Sequence, residues 1–309
     1  MAKFEAAIHS ATNCNIKEEL IMNGICQNWS QWLNETRFSA LTDEMKAQNM
    51  QWLEAVRDVI LTYAEINSND VVLDIGTGTG LLGMKALEMQ KCQGRVIFSD
   101  KFQDSLESCK DLLEKNGITE GYEFLQSECE HLALNECTVT KAVMRSVLVH
   151  IVNKQNAINE IYRVLRHGGR FCAFEPIIRS NSKYWELLHP SFIDKYDEFK
   201  AAEEEFSKDP LDPLFNFDDK TLRKNLEEAG FEKFEVNLQV VKSQYVVKRE
   251  MVEQWFMTPP SPTTKCVKER FLMYFPESVV KKYIKDVENY LTGKEITLKT
   301  NAALISAKK

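Results

Sequence analysis

The sequence predicts an α/β fold with a doubly wound, mostly parallel sheet that carries helices on both faces. Short apolar runs typical of buried parallel strands alternate with stretches of helical periodicity between residues 63 and 176. A glycine-rich turn, Gly76-Thr77-Gly78-Thr79-Gly80, joins the first of these strands to the next helix. Regular alternation of strand and helix is the pattern expected for parallel strands joined by crossover helices.

The elements of this core follow one another in a regular order. A helix is predicted over 43–66, with Thr42 or Asp43 as its N-cap and apolar residues along one face. That face comprises Met45, Trp52, Leu53, Val56, Val59, Ile60 and Tyr63. The predicted elements that follow are strands over 71–75, 95–99, 122–126, 141–149 and 170–174, and helices from residue 81, over 103–115 and over 153–166. We expect Asn116-Gly117 and Gly168-Gly169 to end the last two of these helices.

The last third of the chain breaks this alternation. Residues 181–219 are dense in aromatic and acidic residues and are too long and too polar for a simple crossover. After a helix over 220–229 and a strand over 234–247, a helical block over 250–291 is interrupted by Pro259-Pro260-Ser261-Pro262. A final strand is predicted over 297–306. Two late strands that flank a helical insertion predict a lid above a pocket.

Composition and charge limit the classes of function. The chain has 309 residues, 44% of them hydrophobic and 28% charged, and a formal net charge of −7. This acidic balance argues against nucleic-acid binding, and the short basic clusters at Lys248-Arg249 and Lys281-Lys282 are mixed with acids. No stretch approaches the length of a membrane span, and residues 1–20 lack the apolar core of a signal peptide. We expect a cytoplasmic protein without a membrane partner.

The cysteines and histidines do not predict a metal site. Eight cysteines are scattered without a C-x-x-C pair, and the five histidines form no H-x-x-x-H pair. Cys109 and Cys172 lie in apolar patterns, where a free cysteine behaves as a small hydrophobic residue. We therefore expect reduced, structural thiols and no bound metal.

Asp74 distinguishes between the ligands that the glycine turn could hold. A carboxylate two residues before the first glycine would repel a pyrophosphate, but it suits a positively charged ligand. S-adenosylmethionine, with a sulfonium and an ammonium group, is such a ligand. The alternative is a dinucleotide such as NAD, because residues 78–83 satisfy the G-x-G-x-x-G pattern. In a dinucleotide-binding protein the strand should run straight into the first glycine of the pattern, which here is Gly78. In this chain Asp74, Gly76 and Thr77 lie between the apolar run and Gly78.

Four motifs in order resemble those of class I S-adenosylmethionine-dependent methyltransferases. They are the strand and turn over 74–80, Asp100, Glu128 and the turn over 164–170, and the likeness covers residues 63–176. The resemblance implies a Rossmann-like sheet of seven strands with an antiparallel end. It also implies that S-adenosylmethionine is the cofactor and that the enzyme is a methyltransferase.

The resemblance assigns the cofactor site residue by residue. In the family, the turn that matches Asp74, Gly76, Thr77, Gly78 and Gly80 wraps the methionine part of the cofactor. The acid that matches Asp100, about 20 residues beyond the turn, takes both ribose hydroxyls.

For the adenine, Glu128 matches the residue that accepts from the amino group, and Cys129 matches the one whose backbone amide faces the ring. Lys101, followed by Phe102, departs from the family, which usually has an apolar residue directly after the ribose-binding acid. Arg145 and Ser146 lie where members contact the sulfonium side of the cofactor or the substrate.

Methyl transfer needs alignment and desolvation, and it needs a base only when the nucleophile is protonated. His150 and Glu175 are the candidate bases, because each comes just after a predicted strand whose carboxyl end should line the crevice. Apolar neighbours on both sides of His150 are equally consistent with a packed core histidine, and Glu175 before Pro176 could be a turn residue. The catalytic residues are therefore left open.

The acceptor is predicted to be a small or medium organic molecule. The chain lacks the N-P-P-Y, D-P-P-Y and Pro-Cys signatures of base methylation. Aromatic residues of the helical segments would line a lid, although packing of the lid is an equally ordinary role. They are Trp29, Trp32, Tyr184, Trp185, His189, Tyr245, Trp255 and Phe256. The alternatives are methylation of a protein or peptide side chain, an NAD-dependent oxidoreductase and a non-catalytic scaffold. Oligomeric state is open.

The predicted organisation divides the chain into six parts. They are a helical cap over 1–62, a cofactor-binding core over 63–180, a helical insertion over 181–219, a core helix and strand over 220–248, a helical lid over 249–295 and a last core strand over 296–309.

Overall fold

The computed structural model describes Leu33, Glu35 and residues 43–262 and 264–309. The strands in this part of the chain are β1 (Val71–Ile75), β2 (Arg95–Asp100), β3 (Tyr122–Gln126), β4 (Val139–Arg145), β5 (Leu165–Pro176), β6 (Lys233–Val246) and β7 (Glu295–Lys308). The α-helices are α1 (Asp43–Ala64), α2 (Leu81–Gln90), α3 (Gln103–Lys115), α4 (Lys154–Val164), α5 (Tyr196–Phe206), α6 (Asp219–Ala229), α7 (Arg249–Met257), α8 (Val267–Phe271) and α9 (Glu277–Leu291).

The seven described strands form one sheet in the order β3-β2-β1-β4-β5-β7-β6. Strands β1 to β5 run parallel, whereas β7 is antiparallel to both of its neighbours. The predicted fold class, a mostly parallel, Rossmann-like sheet with an antiparallel end, is confirmed. The strand order reverses at β1, which lies between β2 and β4, and open sheets of this type bind ligands at the carboxyl ends of the strands at that point.

Each face of the sheet has its own apolar core. On one face, Val56 and Ile60 of α1 and Leu82 of α2 pack with Val72 of β1 and Phe98 of β2. On the other face, residues of α4 and α6 pack against Leu73, Ala142 and Phe171. Alternate residues of each strand thus enter opposite cores, which is the period-two pattern of a sheet covered on both sides.

Two boundaries in the middle of the sheet differ from the predicted ones. Strand β4 ends at Arg145 and not at 149, because Ser146 adopts a left-handed φ of +57° and Leu148–His150 form a 3-10 turn. Helix α4 ends at Val164, two residues before the predicted end. Strand β5 already begins at Leu165, and its pairing with β4 shifts between Val139 and Lys141, so that Gly168-Gly169 lies within an irregular strand and not after a helix.

Helices α5, α7, α8 and α9 form a separate core, called here the helical module. Phe199 of α5 stacks on Tyr283 of α9 with ring centroids 3.8 Å apart, and it meets Phe271 of α8 edge-on at 4.9 Å. Phe256 of α7 lies edge-on to Tyr283 at 6.2 Å. Residues far apart in sequence therefore build one aromatic core beside the sheet.

Lys154 ties the segment before α6 to the start of α4. Its ammonium group donates to the carbonyl oxygens of Ile151 at 2.6 Å and Pro213 at 3.1 Å and also to Asn216, and it lies 4.3 Å from the centre of the Phe217 ring. Burial lowers the pKa of Lys154 to about 8. A buried lysine is tolerated here because several acceptors surround it.

Within the described residues, no helix is long and apolar enough to cross a membrane. No group of three or more histidine, cysteine, aspartate or glutamate side chains in that part of the chain could hold a metal ion. The described cysteines, Cys92, Cys109, Cys129, Cys137, Cys172 and Cys266, are all free thiols.

Glu203 makes the helical module sensitive to pH. Its Oε2 atom is buried without a hydrogen-bond partner among the described residues, and burial raises its pKa from 4.5 to about 7. The folded protein therefore keeps a proton on Glu203 between pH 4.5 and 7 that the unfolded chain has lost. Stability falls as the pH rises through this window, and the loss persists above pH 7.

Glu203→Gln, which imitates the protonated acid, should melt at the same temperature as wild type at pH 4.5 and at a higher temperature at pH 8. Each kcal/mol corresponds to roughly 2–4 °C in a protein of this size. Thermal melts at both pH values measure the difference, with Glu204→Gln on the exposed face of the same helix as the control. A melting difference that does not change with pH would contradict this role of Glu203.

Candidate active site

The glycine turn (residues 76–80) has a backbone that only glycine adopts easily. Gly76, Gly78 and Gly80 have φ values of +61°, +54° and +87°, all in the left-handed region. A Cβ atom on Gly76 would lie 2.5 Å from Cγ2 of Val147, in the segment that follows β4. The turn is thus packed tightly between the ends of β1 and β4, the two strands at which the sheet order reverses.

Asp74 at the end of β1 holds both sides of the turn. Its Oδ2 atom accepts from the Thr77 hydroxyl at 2.6 Å and from the Gly83 amide at 2.9 Å, and the residue is only 1% exposed. The sequence predicts a carboxylate that faces a cationic ligand and helix amides that point outward. In the structure, the Gly83 amide instead donates to Oδ2 of Asp74. Burial raises the pKa of Asp74 to about 7.

Asp100 at the end of β2 holds the centre of the turn. Its Oδ2 accepts from the Gly78 amide at 2.9 Å, and its Oδ1 accepts from the Phe102 amide at 3.0 Å. The Thr77 amide donates to the Ser99 carbonyl at 2.9 Å. A backbone hydrogen bond from Lys101 also acts on Asp100, and because a carboxylate has about four acceptor positions, capacity remains for a hydroxyl donor. Burial raises the pKa of Asp100, whose residue is 8% exposed.

Lys101 and Glu128 form an ion pair in the region assigned to the adenine. The ammonium nitrogen of Lys101 lies 2.7 Å from Oε1 of Glu128, with 58% and 48% of the two side chains exposed. The hydrogen bond and the charge of Lys101 lower the pKa of Glu128. The lysine that replaces the family's apolar residue is therefore paired with the neighbouring acid, whose second oxygen is left for another donor.

Cys129, by contrast, is buried, and burial raises the pKa of its thiol, so the side chain stays neutral. This is consistent with a role for its backbone alone.

Arg145 ends β4 beside the turn. Its Nη1 donates to the Ser146 hydroxyl at 3.3 Å. Burial lowers the pKa of Arg145, and the charges of Glu175 and Asp74 partly offset this decrease. The left-handed Ser146 directly follows, and its amide donates to the Phe174 carbonyl at 3.0 Å. A non-glycine residue in this conformation is strained, and such strain is most often found at functional sites.

Glu175, one of the two candidate bases, binds backbone amides. It is 0% exposed, its Oε1 accepts from Val147 at 2.9 Å and its Oε2 from Val149 at 3.3 Å. Burial raises its pKa to about 7. Glu175 thus fixes the segment whose Val147 packs against Gly76, a role that the sequence pattern did not predict.

His150, the second candidate, is neutral at pH 7, because burial first and then the charge of Lys154 lower its pKa to about 4. An imidazole with this pKa is a weak base. Nothing in the geometry decides whether it acts on a substrate, so its role stays a prediction.

The aromatic residues predicted to line a lid mainly pack within or against the helical module. Tyr184 meets Phe256 edge-on at 5.0 Å, and Trp185 lies 4.9 Å from the ammonium group of Lys200. Nδ1 of His189 accepts from the Ser191 amide at 3.3 Å. Tyr245 and Trp255 also pack on this core, whereas Trp29 and Trp32 lie outside the described residues.

Comparison with known proteins supports the assignment of this site. The family described as "Methyltransferase domain" matches residues 66–237, which is more than half of the chain. A ubiquinone/menaquinone biosynthesis C-methyltransferase, UbiE, of Vibrio parahaemolyticus is 27% identical over 165 residues, covering 52% of this chain and 64% of that protein. The UbiE protein of Klebsiella pneumoniae is 28% identical over 171 residues, covering 54% of this chain and 68% of that protein. The chain thus matches about two thirds of the length of these relatives.

Among solved structures, the YcgJ protein of Bacillus subtilis has a TM-score of 0.54 at 17% identity, and the match covers 82% of this chain and 97% of that one. At this identity the likeness concerns the fold alone. The family match shows that the chain belongs to the methyltransferase domain family, and the solved structure agrees that it has the fold of class I S-adenosylmethionine-dependent methyltransferases.

Proposed function

We propose that the protein transfers a methyl group from S-adenosylmethionine to a small or medium organic acceptor. The observation that carries the proposal is the pair of buried carboxylates, Asp74 and Asp100, which hold a left-handed glycine turn at the switch point of the sheet. A class I fold alone would not require both acids to bind the same turn.

The residues present fit the cofactor. Asp100 keeps acceptor capacity for the ribose hydroxyls, and the second oxygen of Glu128 is available to the adenine amino group. Gly76, Thr77, Gly78 and Gly80, together with Asp74, would hold the methionine part. The remaining proposed cofactor contacts are Lys101, Phe102, the Cys129 backbone and Arg145.

The bound cofactor supplies an electrophilic methyl group, and the chain supplies alignment and exclusion of water. Glu175 holds the turn after β4 against Gly76, so it acts by positioning the pocket wall. His150 stays the candidate base for an acceptor that must lose a proton, and we assign no catalytic residue firmly. An acceptor with a nucleophile that is already unprotonated would need no base.

The helical parts of the chain are proposed to cover the pocket. Residues 181–219 and 249–295 supply the helices of the module, and 1–62 would form a further cap. The remaining ranges, 63–180, 220–248 and 296–309, are the proposed core. Support for this division comes from the aromatic core shared by α5, α7, α8 and α9, which packs them together as one unit.

One comparison, and the covering role proposed above for the helical module, favour a small acceptor. The UbiE relatives are named for C-methylation in ubiquinone and menaquinone biosynthesis, which makes quinol-like compounds reasonable first candidates. In addition, a covering module suits a closed pocket, whereas methylation of a protein or peptide side chain would need an open groove.

Calorimetry with S-adenosylmethionine and with NAD tests the cofactor directly. We expect a 1:1 complex with S-adenosylmethionine and no heat of binding with NAD. Binding of NAD alone would overturn the proposal, and binding of neither would favour a scaffold.

The acceptor is then identified by incubation with methyl-labelled cofactor and a panel of quinols, phenols, amines, thiols and peptides. Mass spectrometry should find the label in a small molecule, and label in peptides only would contradict the proposal.

Asp100→Ala should weaken cofactor binding by about 10- to 100-fold, because the ribose loses a charge-assisted anchor and the Gly78 amide loses its acceptor. Calorimetry with S-adenosylhomocysteine measures the change. Asp104→Ala, an acid in the first turn of the following helix, is the matched control and should bind normally. Unchanged affinity of Asp100→Ala would mean that Asp100 does not bind the ribose.

The affinity for S-adenosylhomocysteine should rise with pH between 5.5 and 7.5. Asp74 has a pKa of about 7, and the ligand's ammonium group favours the ionised form, so protonation at lower pH opposes binding. The change is at most about tenfold per pH unit for one proton. Asp74→Asn should flatten the profile, with a thermal melt to confirm that the variant is folded. An equally steep profile in the variant would assign the titration to another group.

A further inference from the structure

We propose that Arg145 and Trp52 form an anion site at the carboxyl end of β4 and β5, and that its ligand is a carboxylate. The proposal rests on the function proposed above and names the chemistry of one further part of the same crevice. The carboxylate belongs either to the methionine part of the cofactor or to an acidic acceptor.

Arg145 has more hydrogen-bond donors than partners. A guanidinium group carries five N–H donors, and in the described residues one of them meets the Ser146 hydroxyl, at 3.3 Å. Within the described residues Arg145 forms no ion pair, although the charges of Glu175 and Asp74 act on it. Oδ2 of Asp74 already accepts from Thr77 and Gly83, and both oxygens of Glu175 accept from backbone amides.

Trp52 of α1 has a donor without an acceptor. Its Nε1 atom is buried and has no hydrogen-bond partner among the described residues. The indole ring meets the Phe174 ring edge-on, with centroids 5.8 Å apart. Because buried polar groups nearly always find a partner, an orphaned indole N–H indicates a missing acceptor.

The two donors lie on the same face of the sheet. Arg145 of β4 pairs in register with Phe174 of β5, so the two side chains leave the sheet on the same side. Phe174 belongs to the core beneath α1, and Trp52 packs on that core as well. Arg145 and Trp52 therefore lie on the same face of the sheet as Phe174, at the end of the sheet that carries the glycine turn.

A carboxylate is the ligand that this pair of donors fits. It offers two coplanar oxygens that match the guanidinium fork, with a lone pair left for an indole N–H. Charge favours the same answer, because a guanidinium group attracts an anion more strongly than a neutral group. A neutral hydroxyl has one oxygen and would leave the guanidinium fork half filled.

Calorimetry on the full chain tests the site and separates the two sources. Wild type, Arg145→Met, Trp52→Phe and the control Arg166→Met, an exposed arginine at the start of β5, are titrated with S-adenosylhomocysteine and with its decarboxylated analogue. The same proteins saturated with S-adenosylhomocysteine are then titrated with benzoate as a carboxylate probe. Thermal melts confirm folding, and Trp52→Phe, which removes the N–H and keeps a smaller aromatic ring, decides the matter if Arg145→Met does not fold.

If the cofactor supplies the carboxylate, Arg145→Met should weaken the binding of S-adenosylhomocysteine by about 10- to 100-fold, and Trp52→Phe should weaken it by about 3- to 10-fold. Neither change should affect the decarboxylated analogue. If the acceptor supplies it, both variants should bind S-adenosylhomocysteine normally and lose benzoate binding. Arg166→Met should match wild type throughout.

The proposal is overturned if the two variants bind all three ligands as wild type does. It is also overturned if they bind S-adenosylhomocysteine and its decarboxylated analogue with equally reduced affinity. Failure of the proposed function has a different signature, since wild type itself would then not bind S-adenosylhomocysteine. In that case benzoate titration of the protein alone decides the anion site.

Discussion

Buried carboxylates accept hydrogen bonds from backbone amides and so hold the glycine turn, and the rest of the site depends on these bonds. Asp74 binds the Gly83 amide and the Thr77 hydroxyl, and Asp100 binds the Gly78 amide. Hydrogen bonds to a charged group contribute about 1.5–3 kcal/mol each, enough to hold a turn in which three glycines have left-handed backbones. The turn therefore has its shape before a ligand arrives, and little ordering remains to be done on binding.

A third carboxylate extends this support to the other wall of the crevice. Glu175 at the end of β5 binds the amides of Val147 and Val149, and Val147 in turn packs against Gly76. Support thus passes from β5, through the segment after β4, to the turn after β1. Because the segment is held by buried groups on both sides, a change at Glu175 would reach the glycine turn without any contact with the cofactor.

The sequence predicted the sheet well because strands covered on both faces contain runs of apolar residues, as at 71–73 and 171–174. It placed the end of β4 wrongly, because Ser146 adopts a left-handed backbone without being glycine, and the turn that follows is apolar like a strand. The hydrogen bonds of Asp74 within the turn were also not predicted. Its partner Gly83 lies nine residues away, and a motif records which residue is present but not which way the carboxylate points.

The helical module was the least predictable part. Its core joins Phe199 to Phe271 and Tyr283, and no local period of the sequence pairs residues so far apart. The aromatic residues that pattern alone assigned to a substrate lid contact one another, as Tyr184 and Phe256 do. The two uses of an aromatic side chain cannot be told apart before the fold is known, because both place it on the apolar face of a helix.

The central claim is that a preformed turn, fixed by Asp74 and Asp100, receives S-adenosylmethionine. A crystal structure of the complex with S-adenosylhomocysteine tests it most directly. Both ribose hydroxyls should lie within hydrogen-bond distance of the Asp100 oxygens, while the Gly78 amide keeps its bond to that carboxylate and the turn keeps its left-handed backbone. A ribose bound elsewhere, or a turn that refolds to admit the ligand, would contradict the claim.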